Sequence, residues 1–187
     1  VPYCQPKVDM SSGEVVGMEA LARWRSPNRG VVAPGDFIAA IEDYGLMDTL
    51  TWIILNKSAM ICRAWREQDL ALTVSVNLSQ TSLSRLGLAE RIHAVVANQG
   101  ILPSDIVLEI TESAAMTDIG SSLENLSRLR LRGFGLSIDD FGTGYSSAQQ
   151  LTRIPFSELK IDRSFVQHSD QESTRVILES KIGRAHV

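Results

Sequence analysis

Residue periodicity predicts an α/β fold, with helices and strands alternating around a mainly parallel sheet that is entered through an antiparallel hairpin. Three observations carry this. The apolar residues switch between a two-residue and a 3.6-residue period several times, the signature of repeated βα units. The chain opens with two strand-like runs joined by the turn Asp9-Met10-Ser11-Ser12-Gly13. The strands after that hairpin end in carboxylates, an asparagine or a lysine instead of apolar residues.

Taken in order, Tyr3 to Val8 and Glu14 to Trp24 form the hairpin. On its second strand Val15, Gly17, Glu19, Leu21 and Arg23 share one face, so Glu19 and Arg23 point the same way. Ser26 to Gly30 is a turn cluster. Phe37 to Ile41 has the spacing of a short helix that Gly45 stops. Met47 to Gln68 is a longer helix whose stripe comprises Leu50, Ile53, Ile54, Met60, Ile61, Ala64 and Trp65; its spacing assigns Trp52 and Trp65 to packing. Leu70 to Ser79 alternates, with Val74, Val76 and Leu78 on one face and Thr73, Ser75, Asn77 and Ser79 on the other.

Leu83 to Gln99 is helical and stops at Gly100. Asp105 to Thr111 is a strand carrying Glu109, with Glu112 just beyond, and Ser121 to Arg132 is a helix ended by Gly133. The run from Leu136 delivers Asp139 and Asp140 into the loop Gly142-Thr143-Gly144. Ser146 to Arg153 reads as a short helix, Ser157 to Ile161 as a strand bearing Lys160, and a last helix starts near Asp170.

The 187 residues, 44% hydrophobic and 21% charged, fit one globular domain with a real core. A net charge of −4 argues against a surface that coats nucleic acid polymers, while leaving room for a local basic site for a small phosphate ligand. No apolar run is long enough to span a bilayer, so this segment is expected to make no membrane contact. Cys4 and Cys62, far apart and without a secretory signal, read as reduced thiols of a cytoplasmic protein. Both ends look cut, and Lys181 to Val187 resembles the translation of a sequencing adapter. Residues 1–180 are therefore read as one partial domain and 181–187 as a non-native tail.

In a βα barrel the chemistry sits at the C-terminal strand ends, and here those ends carry Glu19, Asn77, Glu109, Asp139, Asp140 and Lys160. Alone, Asp139-Asp140 is an ordinary solvated turn. If the strands form one barrel, all six groups converge. Carboxylates and one amide oxygen, without His or Cys, are hard ligands suited to Mg2+ or Mn2+. His93, His168 and His186 show no ligand spacing.

The acids outnumber what one cation needs, which suggests two ions bridged by a shared carboxylate, about 3.5 to 4 Å apart, at a phosphoryl-transfer site. Asp139 is the bridging candidate because its strand neighbours Gly135 and Ser137 are small and leave lumen space. Asp140 faces away in a regular strand, so it joins only if the strand ends there and the backbone turns. Lys160 is placed to stabilise the nucleophile or developing charge, and Arg23 to hold a phosphate bidentately. Asp140-Phe141-Gly142 spells the kinase metal-binding tripeptide, yet the nucleotide loop and catalytic-loop patterns that must accompany it are missing.

Several ordered motifs resemble those of EAL domains, bacterial phosphodiesterases that linearise cyclic di-GMP to pGpG. They are Gln5-Pro6, Glu19-Ala20-Leu21 with Ala22-Arg23-Trp24, Val76-Asn77-Leu78-Ser79, Leu108-Glu109-Ile110-Thr111-Glu112, Asp139-Asp140-Phe141-Gly142-Thr143-Gly144-Tyr145-Ser146-Ser147, and Leu159-Lys160-Ile161-Asp162. The resemblance implies a TIM-like (β/α) barrel with an antiparallel first strand. It implies that Glu19, Asn77, Glu109 and Asp139 bind one metal and Asp139 and Asp140 a second. It makes Lys160 the residue that assists the nucleophilic water and Glu112 the one that orders the loop after Asp140. Gln5, Leu21 and Arg23 are then contacts to the dinucleotide.

Family members continue through two more strands that supply a Glu-Gly-Val-Glu motif and a later Gln. Neither occurs before Val187, so the barrel is expected to be incomplete, with unpaired edges, and this stretch alone to be inactive. The alternative is a cyclic di-GMP receptor that does not hydrolyse its ligand; altered metal ligands would mark one, and none is altered up to Lys160. The resemblance also implies regulatory domains in the parent chain. Many members form a homodimer near the loop after Asp140, and the sequence leaves the oligomeric state open.

Overall fold

The structure, a computed structural model, describes residues 1–117, 119–141, 154 and 156–161. The loop from Gly142, the helix expected over Ser146–Arg153, the last helix and the tail from Lys181 lie outside the described residues.

Strands β1 (Pro2–Val8) and β2 (Val15–Ala22) form the expected antiparallel hairpin, with Gln5 directly opposite Glu19. Its turn is built by Asp9, whose carboxylate accepts from the backbone of Ser11 and Ser12, and by Gly13, whose φ of +74° suits a residue without a side chain. The second strand stops at Ala22 instead of running to Trp24. β3 (Trp24–Ser26) and β4 (Gly30–Val32) then make a small second hairpin around the Ser26–Gly30 turn, and Trp24 meets Phe37 edge-on at 6.4 Å.

The short helix α1 (Ile38–Asp43) leads into α2 (Met47–Arg66). The buried stripe of α2 is Thr51, Ile54, Leu55, Ser58, Ala59 and Cys62, whereas Ile53 and Met60 face solvent, so the expected stripe is rotated. Small polar residues at 51 and 58 allow the close approach that the larger apolar ones on the neighbouring face do not. Trp52 and Trp65 pack against the core as expected. Trp52 also donates to Asp48 at 3.1 Å and carries the Arg91 guanidinium 4.2 Å over its ring.

Four parallel strands follow: β5 (Thr73–Asn77), β6 (Ile106–Thr111), β7 (Gly135–Phe141) and β8 (Glu158–Ile161). The sheet order is β1-β2-β5-β6-β7-β8, with only the first pair antiparallel. A separate short α3 (Gln80–Leu83) and Gly87, at a φ of +70°, precede α4 (Leu88–Gln99), so the helix expected over Leu83 to Gln99 starts later. A further helix that the periodicity does not predict, α5 (Glu112–Thr117), precedes α6 (Ile119–Leu131), the helix expected over Ser121 to Arg132. Asp105 belongs to a 3-10 turn ahead of β6, where its buried carboxylate pairs with Arg66 and accepts from Leu102 N–H.

One face of every central strand is apolar. Val74, Val76, Ile106, Leu108, Ile110 and Leu136 are essentially buried and share the core with Leu55 and Ala59 of α2, Ile92 of α4, and Leu126 and Leu129 of α6. With the helices on that face, the sheet is a half-barrel whose concave face is the polar one. Among the described residues no helix is long and apolar enough to cross a membrane.

Candidate metal centre and active site

The alternation of the strands places Glu19 (β2), Asn77 (β5), Glu109 (β6), Asp139 (β7) and Lys160 (β8) on the concave face near the C-terminal strand ends. The strands are staggered, with Asn77 level with Glu109, Glu109 with Ser137, and Thr111 with Asp139, so acids from different rows approach one another. One carboxylate oxygen from each of Glu19, Glu109 and Asp139 lies within 4.8 Å of the others. Lys160 Nζ sits among them and donates to Glu109 at 2.8 Å, Asp139 at 3.1 Å and Glu19 at 3.2 Å. The Asn77 amide donates to the other Glu19 oxygen at 3.3 Å.

Burial pushes the Glu109 carboxyl above its ordinary pKa; Lys160 opposes that rise and Glu19 adds to it. Burial alone lowers the affinity of Lys160 for its proton, but the attraction of Glu109, Glu19 and Asp139 wins and raises its pKa. Glu109 Oε1 is buried and makes no hydrogen bond of normal geometry among the described residues, while the Ser75 hydroxyl stands close enough to the carboxyl to hold its pKa down. An orphaned carboxylate oxygen is costly unless a cation or donor reaches it, and three converging hard oxygen donors fit a divalent ion such as Mg2+ or Mn2+.

Asp140 does not join the three converging acids. It is exposed, its φ is +54°, and its N–H donates to the Asp139 carboxylate at 3.0 Å. The β7–β8 register shifts between Ile138 and Phe141, an irregularity at this pair, but β7 does not end there: it continues to Phe141, which pairs with Ile161. Glu112 is buried at the start of α5, directly after β6. Gln5 is exposed across from Glu19; Leu21 is half-buried. Arg23 lies past the end of β2, where Nη1 donates to Ala22 O at 2.9 Å. The lumen space expected beside Asp139 is partly taken, because Val107 occupies the room at Gly135: a Cβ there would stand 2.9 Å from Val107 Cγ2.

A pocket of about 510 Å³ is lined by Leu21, Pro34, Ile38, Met47, Asn77 and Thr111 among others; Glu19, Glu109, Asp139 and Lys160 are not part of its lining. The sequence reading assigned a role to two of these six, Leu21 and Asn77. The others, Pro34, Ile38, Met47 and Thr111, come from a 3-10 turn, two helices and the end of β6, which only the fold brings together. Lys7 and Glu158 carry no role in the sequence-based expectation. Both were accessible from the two-residue period, since Lys7 follows Gln5 and Glu158 precedes Lys160 on their strands.

Comparison with known proteins agrees with this geometry. Residues 1–187 match the family described as EAL domain. The chain is 41% identical over 165 residues to the cyclic di-GMP phosphodiesterase RocR of Pseudomonas aeruginosa, covering 88% of this chain and 42% of RocR. It is 39% identical over 183 residues to the bifunctional diguanylate cyclase/cyclic di-GMP phosphodiesterase MucR of the same species, covering 97% of this chain and 27% of MucR. The chain thus spans less than half the length of these relatives. Among solved structures, the MucR phosphodiesterase in complex with c-di-GMP superposes with a TM-score of 0.91 at 38% identity, covering 99% of this chain and 76% of that one. The EAL enzyme Bd1971 with cAMP and cyclic di-GMP bound gives 0.91 at 31%, covering 100% and 52%. With the half-barrel, its antiparallel first strand and the ordered motifs all in place, the chain belongs to the EAL domain family.

Proposed function

We propose that the protein hydrolyses cyclic di-GMP to linear pGpG in the bacterial cytoplasm, using two divalent cations, Mg2+ or Mn2+. The observation that carries this reading is the convergence of Glu19, Glu109 and Asp139 from three strands, with a buried Glu109 oxygen that makes no hydrogen bond of normal geometry among the described residues. In this reading Glu19, Asn77, Glu109 and Asp139 hold one ion, and Asp139 and Asp140 the other. Such ions, when bound, activate water and neutralise the phosphate.

The chain's own groups supply position and charge. Lys160 keeps a positive charge against the acids and beside the attacking water, and Glu112 anchors the segment that follows Asp140. Gln5, Leu21 and Arg23 face the dinucleotide, Arg23 through its guanidinium to a phosphate. The longer relatives suggest that regulatory domains flank this one in the parent protein.

The test is chromatography of cyclic di-GMP incubated with the full-length protein and Mg2+ or Mn2+. Formation of pGpG is expected, and its loss in Glu19→Ala and in Asp139→Ala. Absence of pGpG with the unsubstituted protein would refute the reaction. Turnover surviving both substitutions would refute the two-cation assignment.

A further inference from the structure

A second charged layer lies beneath the acids. Lys7 Nζ, on β1, donates to both oxygens of Glu158 on β8, at 2.8 and 3.1 Å, and to Ser75 Oγ on β5 at 2.8 Å. Among the described residues β1 and β8 are the two edges of the sheet, and the two partners are 151 residues apart in sequence. The Lys7 stem runs past Gly17, its cross-strand partner, where a Cβ would clash with Thr73 Oγ1 at 2.4 Å and stand in ordinary contact with Lys7 Cε at 3.5 Å. Neither end is on the outer surface proper: the side chains are 22% and 36% exposed.

Glu158 and Lys160 are two residues apart on one short strand, so their side chains share the concave face. That puts a fourth carboxylate directly below an ammonium group that must serve the three acids above it. Without a cation of its own, Glu158 would compete for Lys160. Lys7 is that cation.

We infer that Lys7 is a positioning residue for the proposed phosphodiester hydrolysis: by neutralising Glu158 across the lumen it leaves Lys160 free to stand among Glu19, Glu109 and Asp139. The inference rests on the reaction proposed above, but its electrostatic consequence does not. Removing Lys7 draws Lys160 down toward Glu158 and takes a competing ammonium away from the acids, so a divalent cation binds them more tightly while turnover falls. A substitution that merely loosened the barrel would weaken cation binding instead.

The experiment compares full-length protein with Lys7→Met, Lys7→Arg and Lys7→Met/Glu158→Gln by Mn2+ titration and by steady-state hydrolysis of cyclic di-GMP. Lys7→Met is expected to lower kcat about tenfold or more, as displaced catalytic groups do, with KM changed less than about twofold because Lys7 touches none of the proposed substrate contacts. Its Mn2+ affinity rises, about three- to tenfold, from the shift of a nearby unit charge. Lys7→Arg retains most of kcat, and the double variant returns both quantities to within about threefold of the unsubstituted protein. Unchanged kcat and Mn2+ affinity in Lys7→Met would overturn the inference, as would weaker Mn2+ binding or a loss that Glu158→Gln does not relieve. If the unsubstituted protein forms no pGpG, the reaction is refuted, and the Mn2+ titrations alone still decide whether Lys7 keeps Lys160 among the acids.

Discussion

Replacing Lys160 by Met removes a cation that touches three carboxylates at once, and its effect on stability can be worked from the contacts. At separations near 3 Å and an effective dielectric constant of about 20, each attraction is worth about 5 kcal/mol gross. Most of that is offset by the desolvation of the ions. Removing one member of a fully buried pair costs about 3–5 kcal/mol net, and here about 2–4 kcal/mol is expected, because Glu19 and Asp139 remain 18% and 21% exposed while only Glu109 is wholly buried.

The loss depends on pH with a definite sign. The folded-state pKa of Glu109 lies above its ordinary 4.5, so its stabilising share is complete below that value and is lost as pH rises through the folded pKa. Without Lys160 that pKa climbs further, and the deficit of the variant is largest at neutral pH and shrinks below about 4.5. Urea unfolding of full-length Lys160→Met and unsubstituted protein without divalent ions, at neutral and acid pH, measures this. Added Mn2+ should recover part of the deficit by supplying the missing charge. Equal stability at neutral pH, or a deficit that grows on acidification, would refute the reasoning.

Two further outcomes follow from packing and burial. Gly135→Ala forces a Cβ to 2.9 Å from Val107 Cγ2 and 3.4 Å from its Cα, which overpacks the lumen and should lower stability by about 1–3 kcal/mol; Val107→Ala in the same chain should relieve it in a denaturant titration. Cys4 is exposed, whereas Cys62 is buried and burial pushes its thiol up to about 11. A thiol reagent at mild alkaline pH should therefore modify Cys4 in the native protein and reach Cys62 only after unfolding.

The elements most legible in the sequence are those with a regular alternation between a largely polar and a largely apolar face. β5, with Val74 and Val76 against Thr73, Ser75 and Asn77, is legible because a one-residue slip would bury the polar set. The convergence of Glu19, Glu109, Asp139 and Lys160 was legible for the same reason, once strand ends were aligned. Tertiary decisions were not. The helical period of residues 83–99 does not show that 84–87 form a turn, ending in the left-handed Gly87, between α3 and α4. The rotation of the α2 stripe depends on which face the sheet offers, and apolar Ile53 and Met60 gave the wrong one. Lys7 and Glu158 carried the correct period, but nothing local tells a lysine on an edge strand that its partner is 151 residues away.

The contact between Glu19 and Lys160 spans 141 residues. At ribosomal rates of about 5–20 residues per second, Lys160 is synthesised about 7–28 s after Glu19, and Glu109 and Asp139 also precede it. During that interval β2, β5, β6 and β7 can pair in order, but their acids have only solvent and ions as counter-charge. Among the described residues Lys160 is thus the last of the four charges to reach the centre, and in the cell a divalent ion bound early would act as a folding ligand for the nascent half-barrel.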